Sequence, residues 1–436
     1  MIRKNRRQFL KEVGGLTAAA AAISGTGALG AIGANEAVIV GVIGTGGMGG
    51  NHVKELAARK DVRIACVCDP DANRLSAAAK ATGDEKTQAV KDPRQVLDKK
   101  EVDAVWIATP DHWHGPAAIL ACEAKKHVYV EKPCAHNIRE GRLMIEAARK
   151  NGRVMQVGTQ SRSGEHNIEA MKLLREGVIG DILIAKAWNS QLRANIGHAK
   201  PSEAPKEVDY DLWVGPAPMV PFQSNRFHYG WHWWYSFGTG DMGNDGVHDL
   251  DVARWGLGVD THPSTIAAIG GKYFFDDDQE FPDTQYVAFE YPGDGKVGGK
   301  RQLIYEHRIW SPYFQEGYEN GNAFYGTKGM MILGKGSGWK VTLKDNKPGP
   351  SGKGSLSLQP HHTDFLDCIR SGKKPHADIE IGHLSAALCH LGNLATRVGR
   401  VIRFDPRSET IVGDDEAQKL ISRPYREGHW AVPKGI

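Results

Sequence analysis

The sequence predicts a two-domain protein: an N-terminal α/β domain with a doubly wound parallel sheet, then an α+β domain with a large, mostly antiparallel sheet. Three observations carry that prediction. A glycine-rich loop near residue 44 separates a short apolar run from a helical pattern. Strand and helix patterns then alternate to about residue 158, as parallel sheets require. From about residue 264 the periodicity changes to two, with Gly, Asp and Pro turns between the runs. A chain of 436 residues is long enough to bury more than one core.

Residues 1–34 stand apart from this pattern. Asn5-Arg6-Arg7-Gln8-Phe9-Leu10-Lys11 is a twin-arginine pattern, and an Ala/Gly-rich, mildly apolar run follows from Val13 to about Gly33. Together they read as an export signal, cleaved between about Gly30 and Ala37. The expected location is periplasmic or otherwise extracytoplasmic. The twin-arginine translocase is the expected partner during export, with no membrane association after cleavage. The segment holds five basic residues and one acidic residue, so it accounts for the whole net charge of +4. The remainder is balanced, which removes the electrostatic case for nucleic acid or an anionic membrane. No other segment is long and apolar enough to span a bilayer. The six cysteines are scattered and suggest no disulfide framework.

The first domain is expected over residues 35–160. Ala37–Ile43 is a continuous apolar run of strand length, followed at once by Gly44-Thr45-Gly46-Gly47-Met48-Gly49 and a helix from about Asn51 to Lys60. A second strand, Val62–Cys68, closes on Asp69, 25 positions after Gly44. A lone GxGxxG is weak, but between a strand and a helix, with an acid closing the next strand, it reads as a Rossmann dinucleotide site. Gly44 permits the tight turn, Gly46 lets the backbone approach a pyrophosphate, and Gly49 lets the helix pack closely. The helix N-terminus would face the phosphates, and Asp69 would accept from the adenosine ribose. That carboxylate favours NAD over NADP, although Arg74, one turn further on, leaves NADP possible.

A third strand, Val102–Ala108, runs into Thr109-Pro110-Asp111-His112-Trp113-His114, then a helix over 115–126. Val128-Tyr129-Val130 is a buried strand ending in Glu131-Lys132-Pro133. The helix Ile138–Lys150 and the strand Val154–Gly158 complete the alternation. Ligands bind at the carboxyl ends of such strands, so Thr109–His114 and Glu131–Pro133 should border one crevice. Pro133 restrains the residue before it, and a lysine held there can polarise a hydroxyl or carbonyl. His112 and His114 are read as packing over the dinucleotide. Their spacing of two without a nearby Cys or carboxylate pattern argues against a metal, and none is expected.

With the glycine loop, Ala108-Thr109-Pro110 and His127–Pro133 in place, the chain resembles the Gfo/Idh/MocA family of sugar oxidoreductases, and within it the glucose–fructose oxidoreductase type. The resemblance covers nearly the whole chain after residue 34. It implies that Lys132 lies beside the nicotinamide and the reacting carbon, and that Lys132–Pro133 is cis.

The second domain is expected over residues 161–436. A helix (His166–Glu176) and a strand (Ile182–Trp188) lead into the long aromatic segment Asn189–Phe237. There Trp233, Trp234 and Tyr235 are candidates to stack on the apolar faces of a sugar. Gly238–Asp251 opens a helix running to about Leu257, with Asn244 and His248 one turn apart on one face. The family pattern here is Asp-x-x-x-His, and the resemblance implies that His248 is the acid/base. Asn244 stands in place of the aspartate, with Asp245 one residue later; both are candidate substrate ligands, and Asp245 should point about 100° away if the segment is helical. Alternation through 264–273, 284–291, 300–307 and 329–334 predicts the antiparallel sheet, closed by helices at Thr363–Ile369 and His383–Gly399. The family's large sheet often mediates self-association, so a homo-oligomer is expected.

The leading expectation is an exported NAD(P)-dependent oxidoreductase acting on a secondary hydroxyl of a sugar or glycoside. Free NAD(H) is scarce outside the cytoplasm, so the nucleotide should be tightly bound and inserted before export. The alternative is the family's NAD-dependent glycosidase chemistry, by transient sugar oxidation and elimination; the intact Glu131-Lys132-Pro133 argues against it.

Overall fold

The computed structural model describes residues 37–435, and the expected export signal lies outside them. The first sheet has six parallel strands: β1 (Val38–Ile43), β2 (Val62–Cys68), β3 (Gln88–Val90), β4 (Ala104–Ile107), β5 (His127–Val130) and β6 (Met155–Val157). Their order is β3-β2-β1-β4-β5-β6, so the winding reverses between β1 and β4. That reversal opens a crevice at the carboxyl ends of those two strands. Continuous apolar runs make these strands because both faces are covered: Val38, Val40, Val42, Val105, Trp106 and Tyr129 are fully buried.

The second sheet has ten strands in the order β14-β13-β12-β11-β7-β10-β9-β8-β15-β16. It comprises β7 (Ile182–Asn189), β8 (Thr265–Gly271), β9 (Thr284–Tyr291), β10 (Arg301–Arg308), β11 (Asn320–Gly326), β12 (Gly329–Gly334), β13 (Gly338–Leu343), β14 (Lys347–Lys353), β15 (Ile402–Asp405) and β16 (Thr410–Ile411). All its described pairings are antiparallel except β7 with β10. Helices Gly246–Leu257 and Ile379–Val398 cover one face; Leu250, Ala253, Leu388 and Leu391 share its core with Phe289, Leu303 and Phe324.

Several expectations shift in detail. The first helix starts at Gly47, not Asn51, so the glycine loop itself is its first turn. The helix expected from residue 115 begins at Asp111, because Pro110, with φ fixed near −58°, suits the position before a helix. His112 and His114 are therefore helical. The helix expected over 238–257 is broken: Gly240–Asn244 and Gly246–Leu257 are separate, with Asp245 between them at φ −118°. Strands β11 and β14 escaped the period-two reading because glycine interrupts them, whereas β13 alternates from Trp339 to Leu343 and was not anticipated. Lys347-Pro348-Gly349-Pro350 is tolerated as strand only because β14 is an edge. The helix Gln359–Ser371 departs from its expected domain, packing Phe365, Leu366 and Ile369 against Val40 and Trp106 of the first sheet.

Candidate active site

A cavity of about 400 Å³ opens at the carboxyl edge of the parallel sheet. Its wall joins the glycine loop, Asp69, Thr109–Asp111, His114 and Glu131–Lys132 of the first domain to Trp213, Tyr229, Trp231, His232 and Asn244 of the second.

The glycine loop is cut to size. Gly44 has φ +83°, and a Cβ there would stand 2.7 Å from the Ala108 carbonyl carbon; a Cβ on Gly49 would stand 1.9 Å from the Gly44 oxygen. At Gly47 the space is open, and at Gly46 only the mobile end of Arg74 intrudes. Helix Gly47–Ala57 carries no side-chain cap, so its first N–H groups face the loop unengaged by side chains. Asp69 closes β2 and accepts from the backbone N–H and hydroxyl of Thr45 (2.8 and 3.1 Å) and from Asp71 N–H (3.0 Å). The Thr109 hydroxyl is buried without a hydrogen-bond partner. This loop, helix terminus and strand-end acid fit a dinucleotide: Gly44, Thr45, Gly46, Gly47, Met48 and Gly49 would hold the pyrophosphate, and Asp69 the ribose.

Lys132 lies two residues beyond the end of β5 and precedes a cis proline. Its Nζ donates to the Asn244 carbonyl (2.6 Å), with Asn244 Oδ1 at 3.4 Å. The Asn244 amide is turned so that its Nδ2 donates to Asp241 Oδ1 (3.2 Å). Asp241 also accepts from Asn189 (2.7 Å) and Arg193 (2.9 Å). Beneath Lys132, Glu131 is fully enclosed. Burial opposes its ionisation, yet the His52 hydrogen bond (3.0 Å), the His52 charge and the Lys132 ammonium hold its pKa down to about 2. A carboxylate can only accept, so His52 Nε2–H donates to it, and His52 Nδ1 lies 2.9 Å from His362 Nε2.

The expected one-turn relation of Asn244 and His248 fails: Asn244 ends one helix and His248 lies in the next, 8% exposed, its Nδ1 without a partner among the described residues. The cavity wall stops at Asn244, so His248 backs it rather than lining it. Burial pushes its pKa down to about 3; the Lys335 and Lys132 charges add to this, and Asp245 and Glu131 oppose it. It is therefore neutral and able to accept a proton. Asp245 turns away from the cavity to pair with Lys335 (2.5 Å) and accept from Asn320 (2.6 Å). The Lys335 charge leads in holding Asp245 ionised despite burial.

The remaining candidates divide. His114 lines the cavity between the carbonyls of Pro133 (2.7 Å) and Thr109 (2.9 Å), tying the two motifs together. Burial lowers its pKa, against the pull of the Pro133 carbonyl and the Glu131 charge. His112 does not reach the cavity: Nε2 meets the Trp213 carbonyl (3.0 Å), and burial pushes its pKa down to about 3. Trp233, Trp234 and Tyr235 do not line it either. Trp233 and Trp234 belong to a small aromatic core, with Arg226 stacked 4.1 Å above Trp234, and Tyr235 faces a different cavity. The large rings that do face the site are Trp113 and, in the same aromatic segment but two to twenty-two residues before those candidates, Trp213, Tyr229 and Trp231. Proximity in a segment of irregular structure carried no information about direction.

Asp111 and Lys335 were missed. Asp111 accepts from Thr239 Oγ1 (2.6 Å), and burial pushes its pKa up to about 7 against that bond and the Lys132 charge. It lies within the Thr109–His114 stretch at the end of β4. Lys335 sits in a glycine turn 87 positions from His248, with no spacing to betray it. Among the described residues, His262, His383 and Glu409 bring three metal-type ligands together, but Arg142 already forks onto Glu409, and none of them lines the cavity.

Comparisons with known proteins bear on this geometry. A family profile described as an oxidoreductase family NAD-binding Rossmann fold matches residues 38–159, and its C-terminal alpha/beta domain matches 183–284 and 354–432. The scyllo-inositol 2-dehydrogenase (NAD(+)) of Bacillus subtilis (strain 168) is 28% identical over 339 residues, 74% of this chain and 84% of that one. A glycosyl hydrolase family 109 protein of Shewanella pealeana is 29% identical over 148 residues, 31% of each chain. Levoglucosan dehydrogenase in complex with NADH and levoglucosan has the same fold, with a TM-score of 0.64 at 20% identity, covering 84% of this chain and 99% of that one.

Proposed function

For a chain that belongs to the Gfo/Idh/MocA oxidoreductase family, with NAD(H) as its cofactor, we propose oxidation and reduction of a secondary hydroxyl on a sugar, glycoside or cyclic polyol. The observation that carries this reading is the Lys132 ammonium, fixed on Asn244 in the cavity wall, with the buried, neutral His248 four residues further along the chain. When bound, the nicotinamide supplies the hydride acceptor or donor. His248, set back from the cavity wall, accepts the hydroxyl proton through one intervening water, and Lys132 holds the oxygen and stabilises its developing charge. Asn244 binds a neighbouring hydroxyl, and Tyr229 and Trp231 meet the C–H face of the ring.

A panel of aldoses, inositols and anhydrosugars followed at the NADH absorbance tests this. On the best substrate, Lys132→Ala and His248→Ala should each lower kcat/KM by about 10²–10⁴-fold. Undiminished turnover in either variant overturns the assignment.

The export reading extends the proposal: a nucleotide bound tightly enough to survive purification, recycled by a second sugar. Mass spectrometry of undialysed protein should find NAD(H), and cell fractionation should lose the extracytoplasmic pool when Arg6 and Arg7 are both changed to lysine. Self-association is proposed through the outer face of the large sheet, where Ile269, Tyr286 and Tyr325 are exposed. The partial likeness to a family 109 glycosyl hydrolase favours one alternative, NAD-dependent glycoside cleavage. Release of nitrophenol from nitrophenyl glycosides without added cofactor would establish it.

A further inference from the structure

A second cavity, of about 390 Å³, lies on the other side of the Tyr235–Thr239 segment from the first. Its charge is one-sided. Arg397 and Lys419 stand at its rim, and neither has an ion-pair partner among the described residues. Arg423 forms its wall; Nε donates to Glu140 (2.9 Å) and Nη2 to the His112 carbonyl (2.6 Å), while Nη1 is buried without a partner. The single lining carboxylate, Glu280, is engaged by the Tyr235 N–H.

The floor adds two buried imidazoles. His136 turns toward the Tyr235 backbone carbonyl and His390 toward that of Ala135, and Nε2 of His390 is buried with no other partner among the described residues. Burial lowers the pKa of both rings, so with the N–H given to a carbonyl the second nitrogen is an acceptor for a ligand hydroxyl. The unpartnered Nη1–H of Arg423 is costly in a finished protein interior, and a ligand oxyanion would satisfy it. One side of the cavity is a platform: Tyr235 packs against Phe281 at 4.4 Å between centroids, and the Arg397 guanidinium stacks 4.1 Å above the Tyr235 ring. A ring faced by an aromatic and rimmed by amides and hydroxyls suits a polyol.

We propose that this second cavity binds a small polyol carrying an oxyanion, a sugar acid or a sugar phosphate, and that its occupancy is felt in the reaction cavity through Thr239. The connection is short. Asn393, which lines the second cavity, donates to the Thr239 carbonyl (2.7 Å), and the Thr239 hydroxyl donates to Asp111 in the first (2.6 Å). Coupling of this kind is reciprocal: an anion that changes the affinity for NADH is itself bound more or less tightly by the same factor when NADH is present.

Calorimetric titration of the NAD-loaded protein with gluconate, glucose 6-phosphate and glucose tests the site. At least one of the two acids should bind saturably where glucose does not, and whichever does so identifies the carboxylate or phosphate class. Arg397→Gln and Lys419→Gln, both on exposed side chains and so expected to keep the wild-type melting temperature, should each weaken that binding by about tenfold, or ~1.4 kcal/mol. Acids no tighter than glucose, variants that bind like wild type, or acid displaced by excess NADH would each overturn the site. An NADH dissociation constant unchanged by saturating acid would overturn the coupling.

Discussion

Lys132 meets a carbonyl dipole where a carboxylate would have made an ion pair, and the reason lies three residues before Asn244. Asp241 already places a buried carboxylate there, and Asn244 Nδ2–H is one of its donors. Asn244→Asp would set two acids against each other. We expect a loss of about 1–3 kcal/mol, the cost of a donor withdrawn from a buried carboxylate, and recovery in Asn244→Asp/Asp241→Asn. Chemical denaturation of the single and double variants measures it, and a stabilised single variant would refute it. The same scale governs His248. Lys335 is the leading charge holding its pKa down, so Lys335→Met should raise that pKa and leave Asp245 free to raise it further. A proton-accepting histidine works above its pKa, so the acid limb of the kcat/KM profile should move to higher pH, and Lys335→Arg should restore it. An unmoved acid limb would detach His248 from that role.

At the scale of elements, the strand–loop–helix unit around Gly44 constrains its glycines unequally. Gly49 lies where the helix passes over the preceding turn, and a Cβ there meets backbone that cannot yield. Gly49→Ala should lower stability by about 1–3 kcal/mol and weaken NADH binding. Gly47→Ala, in open space at the start of a helix, should leave the melting temperature unchanged or slightly raised. Thermal melts of the pair, with NADH fluorescence titrations, check both. Equal losses would mean that the loop is not packed as described. The broken helix at Asp245 has the same local logic: one residue out of the helical track sends its carboxylate to Lys335 and leaves Asn244 and His248 on separate helices.

Across the whole molecule, the interior holds an unusual number of neutral histidines. His112, His248 and His390 are pushed down to about 3, and His127 and His361 to about 4, in each case chiefly by burial. A histidine whose folded pKa lies below its ordinary 6.5 binds fewer protons when folded. Its contribution is fully present above that value and is lost as pH falls toward the folded one. Asp111, raised to about 7, works the other way, as do Asp69, Asp249 and Asp364, but the lowered histidines, which also include His114, His136, His228, His232 and His362, outnumber them. Melting temperature should therefore fall steadily from about pH 6.5 to 4, before most carboxylates titrate. A flat profile down to pH 4.5 would contradict these burials. Several of these rings bind the two domains: His361, on a helix from the second half, meets the Val157 carbonyl of the first sheet at 2.9 Å, and His362 meets His52.

Local rules were enough for the first half. Continuous apolar runs, the GxGxxG turn and Asp69 25 positions on leave one arrangement, because a parallel sheet needs buried strands joined by helices and a dinucleotide needs backbone at close range. Glu131-Lys132-Pro133 was legible for the same reason: the strand end and the proline orient the lysine from within six residues. Tertiary structure alone decided the rest of the site. It brought Lys335 to Asp245 across 90 positions and to His248 across 87, chose Tyr229 and Trp231 over Trp233, Trp234 and Tyr235, and carried His112 out of the cavity. These outcomes depend on which side chains meet across a long aperiodic segment and a ten-stranded sheet, and periodicity records faces, not partners.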